Sequence, residues 1–168
     1  NIIVEVKPTK GHSFIMQSPP GHIASGTDYI VNSNGLICTE TTIGGCNVFE
    51  LNDHICCRIR NVVQYANCLD DCVDMLTKNN GGDYANSWLF GDTKTNTIMR
   101  VELGLKFVKV EKKKNGYFVG FNGATDDRIR NIECKNTGVD DIRRHQGARS
   151  VRLTQLMKQH TGKIDMDI

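Results

Sequence analysis

At 168 residues and 18.8 kDa, with 39% hydrophobic and 24% charged residues, the chain has enough sequence for one domain with its own core and too little to expect two. Its 21 basic and 19 acidic residues leave a net charge of +2, which gives no electrostatic case for nucleic acid or an anionic membrane as partner. No apolar run approaches the ~20 residues that a spanning helix needs, and no leader-like segment opens the chain; residue 1 is Asn and strand-like sequence follows at once, as expected of a fragment or a processed chain.

In chain order, Ile2–Val6 reads as a β-branched strand stopped by Lys7-Pro8, and 12–17 as a second strand ended by Pro19-Pro20-Gly21, with 8–11 as the turn between them. Residues 27–31 and 35–42 read as a further pair joined across Asn32-Ser33-Asn34-Gly35, whose Asn-Gly step is a strong hairpin signal. From Ile55 the apolar period becomes helical. Ile55, Ile59, Val62, Val63 and Ala66 share one stripe, with Arg58 and Arg60 placed off it. Leu69, Val73 and Leu76 repeat the pattern in a second short helix, where Asp70, Asp71 and Asp74 complement the positive end of the dipole.

Residues 79–104, NNGGDYANSWLFGDTKTNTIMRVELG, read as the central hairpin of a sheet. Its arms are 87–90 and Thr97–Leu103, joined by a polar turn at 92–96, and Met99, Val101 and Leu103 alternate with Ile98, Arg100 and Glu102 in the period of a strand. Residues 107–110 and 116–121 read as two more strands, with Lys112, Lys113 and Lys114 as a solvated tip between them. A last helix is expected over 139–160, with Gly147 placed to divide it. Hairpins with helices gathered between them specify an α+β layered domain.

The seven cysteines, an odd count, include no CxxC pair, and the histidines complete no zinc pattern, so no metal is expected. Cys68 and Cys72, at helical spacing, read as small apolar residues facing the core, and buried thiols are expected ahead of disulfides. His12, His22, His54, His145 and His160 stand beside no nucleophile, and a papain-like role for Cys38 or Cys46 lacks a base and an oxyanion partner.

Two polar residues stand out instead. Asn122 ends the apolar run 117–121 and precedes Gly123, where its amide can donate to charge developing on a carbonyl oxygen; the alternative is a plain Asn-Gly turn. Arg149 shares a helical face with Leu153 and Leu156. A guanidinium held on that stripe needs an anion or a carbonyl partner, unless it snorkels past the stripe to solvent.

Three ordered blocks then make the chain similar to a known family: DYIVNSNGLICTETTIGG at 28–45, residues 79–104, and GYFVGFN at 116–122, followed by ARSVRLTQLM at 148–157. It resembles the phospholipase B-like proteins and the related autoproteolytic acyltransferases among the N-terminal-nucleophile hydrolases. The resemblance implies a four-layer αββα sandwich, incomplete at its N-terminus, and hydrolysis of amide or ester bonds in an acylated small molecule, lipid or peptide without a cofactor. It implies that Asn122 is the oxyanion-hole amide, that Arg149 is the active-site cation, that Thr42 is a second donor lining the pocket, and that Asn86 and Trp88 frame the substrate site. In the family a cysteine exposed by autoproteolysis attacks the substrate, its own α-amino group serving as base. That cysteine lies upstream of the strand matching Ile2–Val6, and none of the seven here falls at its position. The expectation is therefore the scaffold and oxyanion half of an acyl hydrolase, inactive without an upstream segment, with a non-catalytic acyl- or peptide-binding relative as the alternative. The resemblance also implies a secreted or lysosomal setting, and a missing neighbour strand would leave an edge open to homodimerisation.

Overall fold

A computed structural model describes residues 1–25, 28–135 and 138–165. Seven strands form one antiparallel sheet in chain order: β1 (Ile2–Val6), β2 (Phe14–Ser18), β3 (Tyr29–Asn32), β4 (Leu36–Thr42), β5 (Asn86–Asp92), β6 (Thr97–Leu103) and β7 (Val108–Lys113). Between β4 and β5 the chain leaves the sheet to build α1 (Ile55–Tyr65) and α2 (Leu69–Thr77), and α3 (His145–His160) closes the sequence. The α+β class stands. Among the described residues no helix is long and apolar enough to cross a membrane.

Alternation decides which face each strand buries. Phe14, Met16, Ile30, Leu36, Cys38, Trp88, Phe90, Met99, Val101 and Leu103 point to one side, where they meet Ile59, Val62, Val63, Cys72 and Leu76 of α1 and α2 in a single core. Asn32 is buried in this core because its amide has work there: Nδ2 donates to Val63 O at 3.0 Å, and Oδ1 accepts from Asn34 N and Leu36 N at 3.1 and 3.0 Å. That clamp shapes the Asn-Gly hairpin, whose Gly35 has φ +84° and sits where a Cβ would fall 2.3 Å from Thr93 Oγ1.

Arg58 departs from its expected place off the stripe, for it is only 2% exposed. Nε donates to Asp53 O at 3.0 Å, Nη2 to Asp83 Oδ1 at 3.0 Å and Nη1 to Leu76 O. A guanidinium with each of its nitrogens engaged can be buried, and here it binds α1 to the end of α2.

The opposite face is covered at one end by the segment after β7, held mainly by carboxylates. Glu102 accepts from Thr125 N at 2.8 Å, Thr125 Oγ1 at 3.0 Å and Asp126 N at 2.8 Å. Glu133 accepts from Leu105 N, Lys106 N and Phe107 N at 2.8, 2.6 and 3.3 Å. A small second core of Ile43, Ala85, Ala124, Ile129 and Cys134 lies beneath.

Several expectations are corrected here. Cys46 and Cys134, 88 residues apart in sequence, form a disulfide; the fold pairs 46 with 134 as a bridge of extended backbone, a proximity that spacing alone does not reveal. Cys72 is buried as expected, but Cys68 is exposed at the N-cap of α2. Lys112 and Lys113 belong to β7 rather than to a tip, and 116–121 form no strand. The last helix begins at His145, and Gly147 lies undivided in its first turn, where a Cβ would fall 2.2 Å from Asp141 O. A π-helical turn at Ile129–Glu133 precedes it. The expected strand 27–31 is observed as Tyr29–Asn32, its Thr27 lying outside the described residues.

Candidate functional site

Asn122 sits where the uncovered end of β4 meets the segment after β7. That segment runs close against the strand: a Cβ on Gly120 would fall 2.0 Å from Thr41 Cγ2, so only glycine permits the approach. Asn122 N donates to Thr41 Oγ1 at 3.0 Å, and its Nδ2 donates to Thr42 O at 3.1 Å. Asn122 has φ +61°, a left-handed conformation that Asn tolerates better than most residues. Its position is therefore a turn fastened to β4 and not the end of a strand.

Arg149, an exposed residue in the first half of α3, donates from Nη1 to Asn122 Oδ1. The fold thus brings together two residues 27 positions apart that sequence reading had singled out separately. The amide is oriented from both sides, since its oxygen takes the guanidinium and one N–H takes the Thr42 carbonyl. The second hydrogen on Nδ2 remains to donate to an approaching oxygen. The stripe expected beside Arg149 is only half-buried, with Leu153 and Leu156 both partly exposed. A cavity of about 390 Å³ opens next to this pair, lined by Phe118, Phe121, Ala124, Thr125, Ser150 and Thr154 among others, and it includes neither Asn122 nor Arg149.

Thr42 extends the site through the sheet. Its carbonyl holds Asn122 and its Oγ1 shares a hydrogen bond with Tyr84 OH. Across β4 and β5, Thr42 pairs with Asn86 and Glu40 with Trp88, which puts these four side chains on the helix-covered face. Asn86 and Trp88 are buried. Asp28 and Tyr84 stand beside Glu40, and burial, reinforced by the Asp28 charge, pushes the Glu40 carboxyl up to about 9. Burial also raises Asp28 and Tyr84 above their usual values. Glu40 was passed over in sequence, although a signal existed: Leu36, Cys38 and Glu40 alternate on one side of β4, so the period that buries the first two buries the third. Tyr84 and Asp28 lie in loops and carry no comparable signal.

The thiols offer no nucleophile at this place. Cys46 is consumed in its disulfide, and Cys38 lies in the core, where burial pushes its thiol well above the ordinary range.

No family model matches the chain. It is 34% identical over 91 residues to the phospholipase B-like 2 proteins of Rattus norvegicus and Mus musculus. That alignment covers 50% of this chain and only 16% and 15% of the length of the two relatives, respectively.

Proposed function

We propose that residues 1–168 are one domain that forms the scaffold and oxyanion side of an autoproteolytic cysteine-nucleophile acyl hydrolase, acting on amide or ester bonds of an acylated substrate. The contact between Arg149 and Asn122 carries this reading, because an amide fixed by a cation on its oxygen and by Thr42 O on one hydrogen is preorganised to donate the other. In the proposed reaction an upstream segment supplies an N-terminal cysteine. Its α-amino group takes the thiol proton and the thiolate attacks the acyl carbonyl. The developing oxyanion is held by Asn122 Nδ2 with Thr42 beside it, the amide or ester bond breaks as the amine or alcohol leaves with that proton, and water then hydrolyses the thioester to the free acid and the thiol. Arg149 favours the thiolate and keeps Asn122 in place, while Asn86 and Trp88, buried on the other face of the sheet, take no part in the oxyanion step.

The αββα sandwich belongs to the same proposal. Ile15, Val31 and Ile37 are successive cross-strand partners on the face away from α1 and α2. With Ile3 and Tyr29 they leave an open apolar surface, Ile3 being 68% and Ile15 43% exposed, on which a second sheet would pack. A Cys46–Cys134 disulfide suits the oxidising setting of a secreted or lysosomal protein. At the edge, β1 offers a strand to a second copy.

In the presence of the upstream cysteine segment, Asn122→Ala is expected to lower kcat for an N-acyl chromogenic amide by about 100- to 1000-fold with little change in KM. Undiminished turnover in that variant would remove the reading. The state of Cys38 and Cys46 favours a second reading, a relative that binds an acylated or peptide ligand without turning it over. Hydrolysis by the 168-residue chain alone, abolished by Cys38→Ser, would overturn both.

A further inference from the structure

Glu40 is 7% exposed, Asn86 0% and Trp88 5%. Both amide heteroatoms of Asn86 and Trp88 Nε1 are buried with no hydrogen-bond partner, and both oxygens of Glu40 are buried, facing Asp28 and Tyr84. The register gathers them, since Glu40 is opposite Trp88 and the next inward pair along is Thr42 and Asn86. Buried polar atoms are rarely left alone, and three such atoms beside the Glu40 and Asp28 carboxyls indicate a polar occupant. Asp28 and Tyr84, both only half-buried, stand beside Glu40 and connect the cluster to the surface.

The donor set identifies the occupant's chemistry. Two neighbouring carboxyls offer negative charge and Asn86 Oδ1 a further acceptor, which together suit a group that only donates, while Asn86 Nδ2 and Trp88 Nε1 are donors that a water beside it satisfies. We propose that this cluster binds the primary ammonium group of an amine, with Glu40 and Asp28 as its counter-ions. Without a cation the pair keeps a proton on Glu40, whose carboxyl stands at about 9. When the ammonium enters, the Glu40 O–H bond breaks, the proton leaves to solvent, and a carboxylate–ammonium pair remains. Cys38 and Tyr84, the other titratable groups that sense Glu40, are both raised by burial and stay protonated. That the amine is the leaving half of an acylated substrate rests on the proposed function; ammonium binding needs no nucleophile, so the two ideas fail separately.

Trp88 is the only tryptophan of the chain and reports directly. The 168-residue protein is titrated at pH 7.5 with propylammonium chloride, with 1-propanol, and with sodium chloride at matched ionic strength, following Trp88 fluorescence and proton release in weak buffer. A saturable change with propylammonium alone, accompanied by release of about one proton per bound amine, is the expected result. Glu40→Gln, close in shape to the protonated acid and so suited to the fold, should weaken binding at least ~10-fold and abolish proton release. Asp28→Asn, in a half-buried position, should weaken binding about threefold. An equal response to 1-propanol, an unaltered response in Glu40→Gln, or no response in the unmodified protein would overturn the proposal and leave internal water as the occupant.

Discussion

The two faces of the sheet are held by different physics. On one side α1 and α2 close a continuous apolar core over Met99, Val101 and Leu103, each fully buried. On the other, the segment after β7 is seated mainly by directed hydrogen bonds: Glu102 to Thr125 and Asp126, Glu133 to the 105–107 turn, Thr41 to Asn122. Apolar packing is non-directional and tolerates a degree of adjustment. A carboxylate that accepts several backbone N–H groups fixes the chain at a point, and the candidate site is mounted on that second kind of support, where a side chain must be held in one orientation to be useful.

If this contrast is right, truncation on the helix-covered face acts on the whole molecule. Leu103→Ala should cost about 2–5 kcal/mol, read as a lowered urea midpoint with fluorescence and circular dichroism changing together; a loss confined to one probe would blur the distinction. Glu102→Gln tests the other face. It replaces an acceptor of backbone N–H groups with a side chain that also donates, and should cost about 1–3 kcal/mol. Amide exchange should accelerate first at Thr125 and Asp126 while the β6 core stays protected, and uniform acceleration would erase the contrast.

The smallest effect is set by pH. Hydrogen bonds from Arg128, supported by the backbone N–H groups of Arg128 and Ile129, hold the Asp126 carboxyl down at about 2. A carboxylate depressed on folding contributes its full stabilisation above its ordinary value near 3.8, and that contribution is lost as pH falls through about 2. Between pH 4 and pH 2 the 124–133 segment should therefore loosen, visible as broadened amide resonances, and Asp126→Asn should remove the pH dependence. Unchanged spectra over that range would assign the seating of this segment to its apolar contacts alone.

What could be read in the sequence follows the same division. Period-2 runs at Thr97–Leu103 and Leu36–Thr42, the Asn-Gly step and the helical stripe beginning at Ile55 each carry their own signal, because local sterics and apolar burial act over a few residues. The run 116–121 carries a strand signal but is irregular chain, while β7 extends through Lys113. Arg58 looked like a surface residue until the carbonyl of Leu76 and the carboxylate of Asp83 came within reach of it.

By itself, then, the sequence determined the α+β class, most of the strands, both central helices and the choice of Asn122 and Arg149 as residues that needed partners. Only the tertiary structure decided that these two meet each other, that Cys46 pairs with Cys134, and that Glu40 is enclosed with Asn86 and Trp88. The reason is range. Propensity and alternation are fixed by neighbours in the chain, whereas a hydrogen bond across 27 residues or a disulfide across 88 exists only once the sheet has set the distance between segments that do not otherwise sense one another.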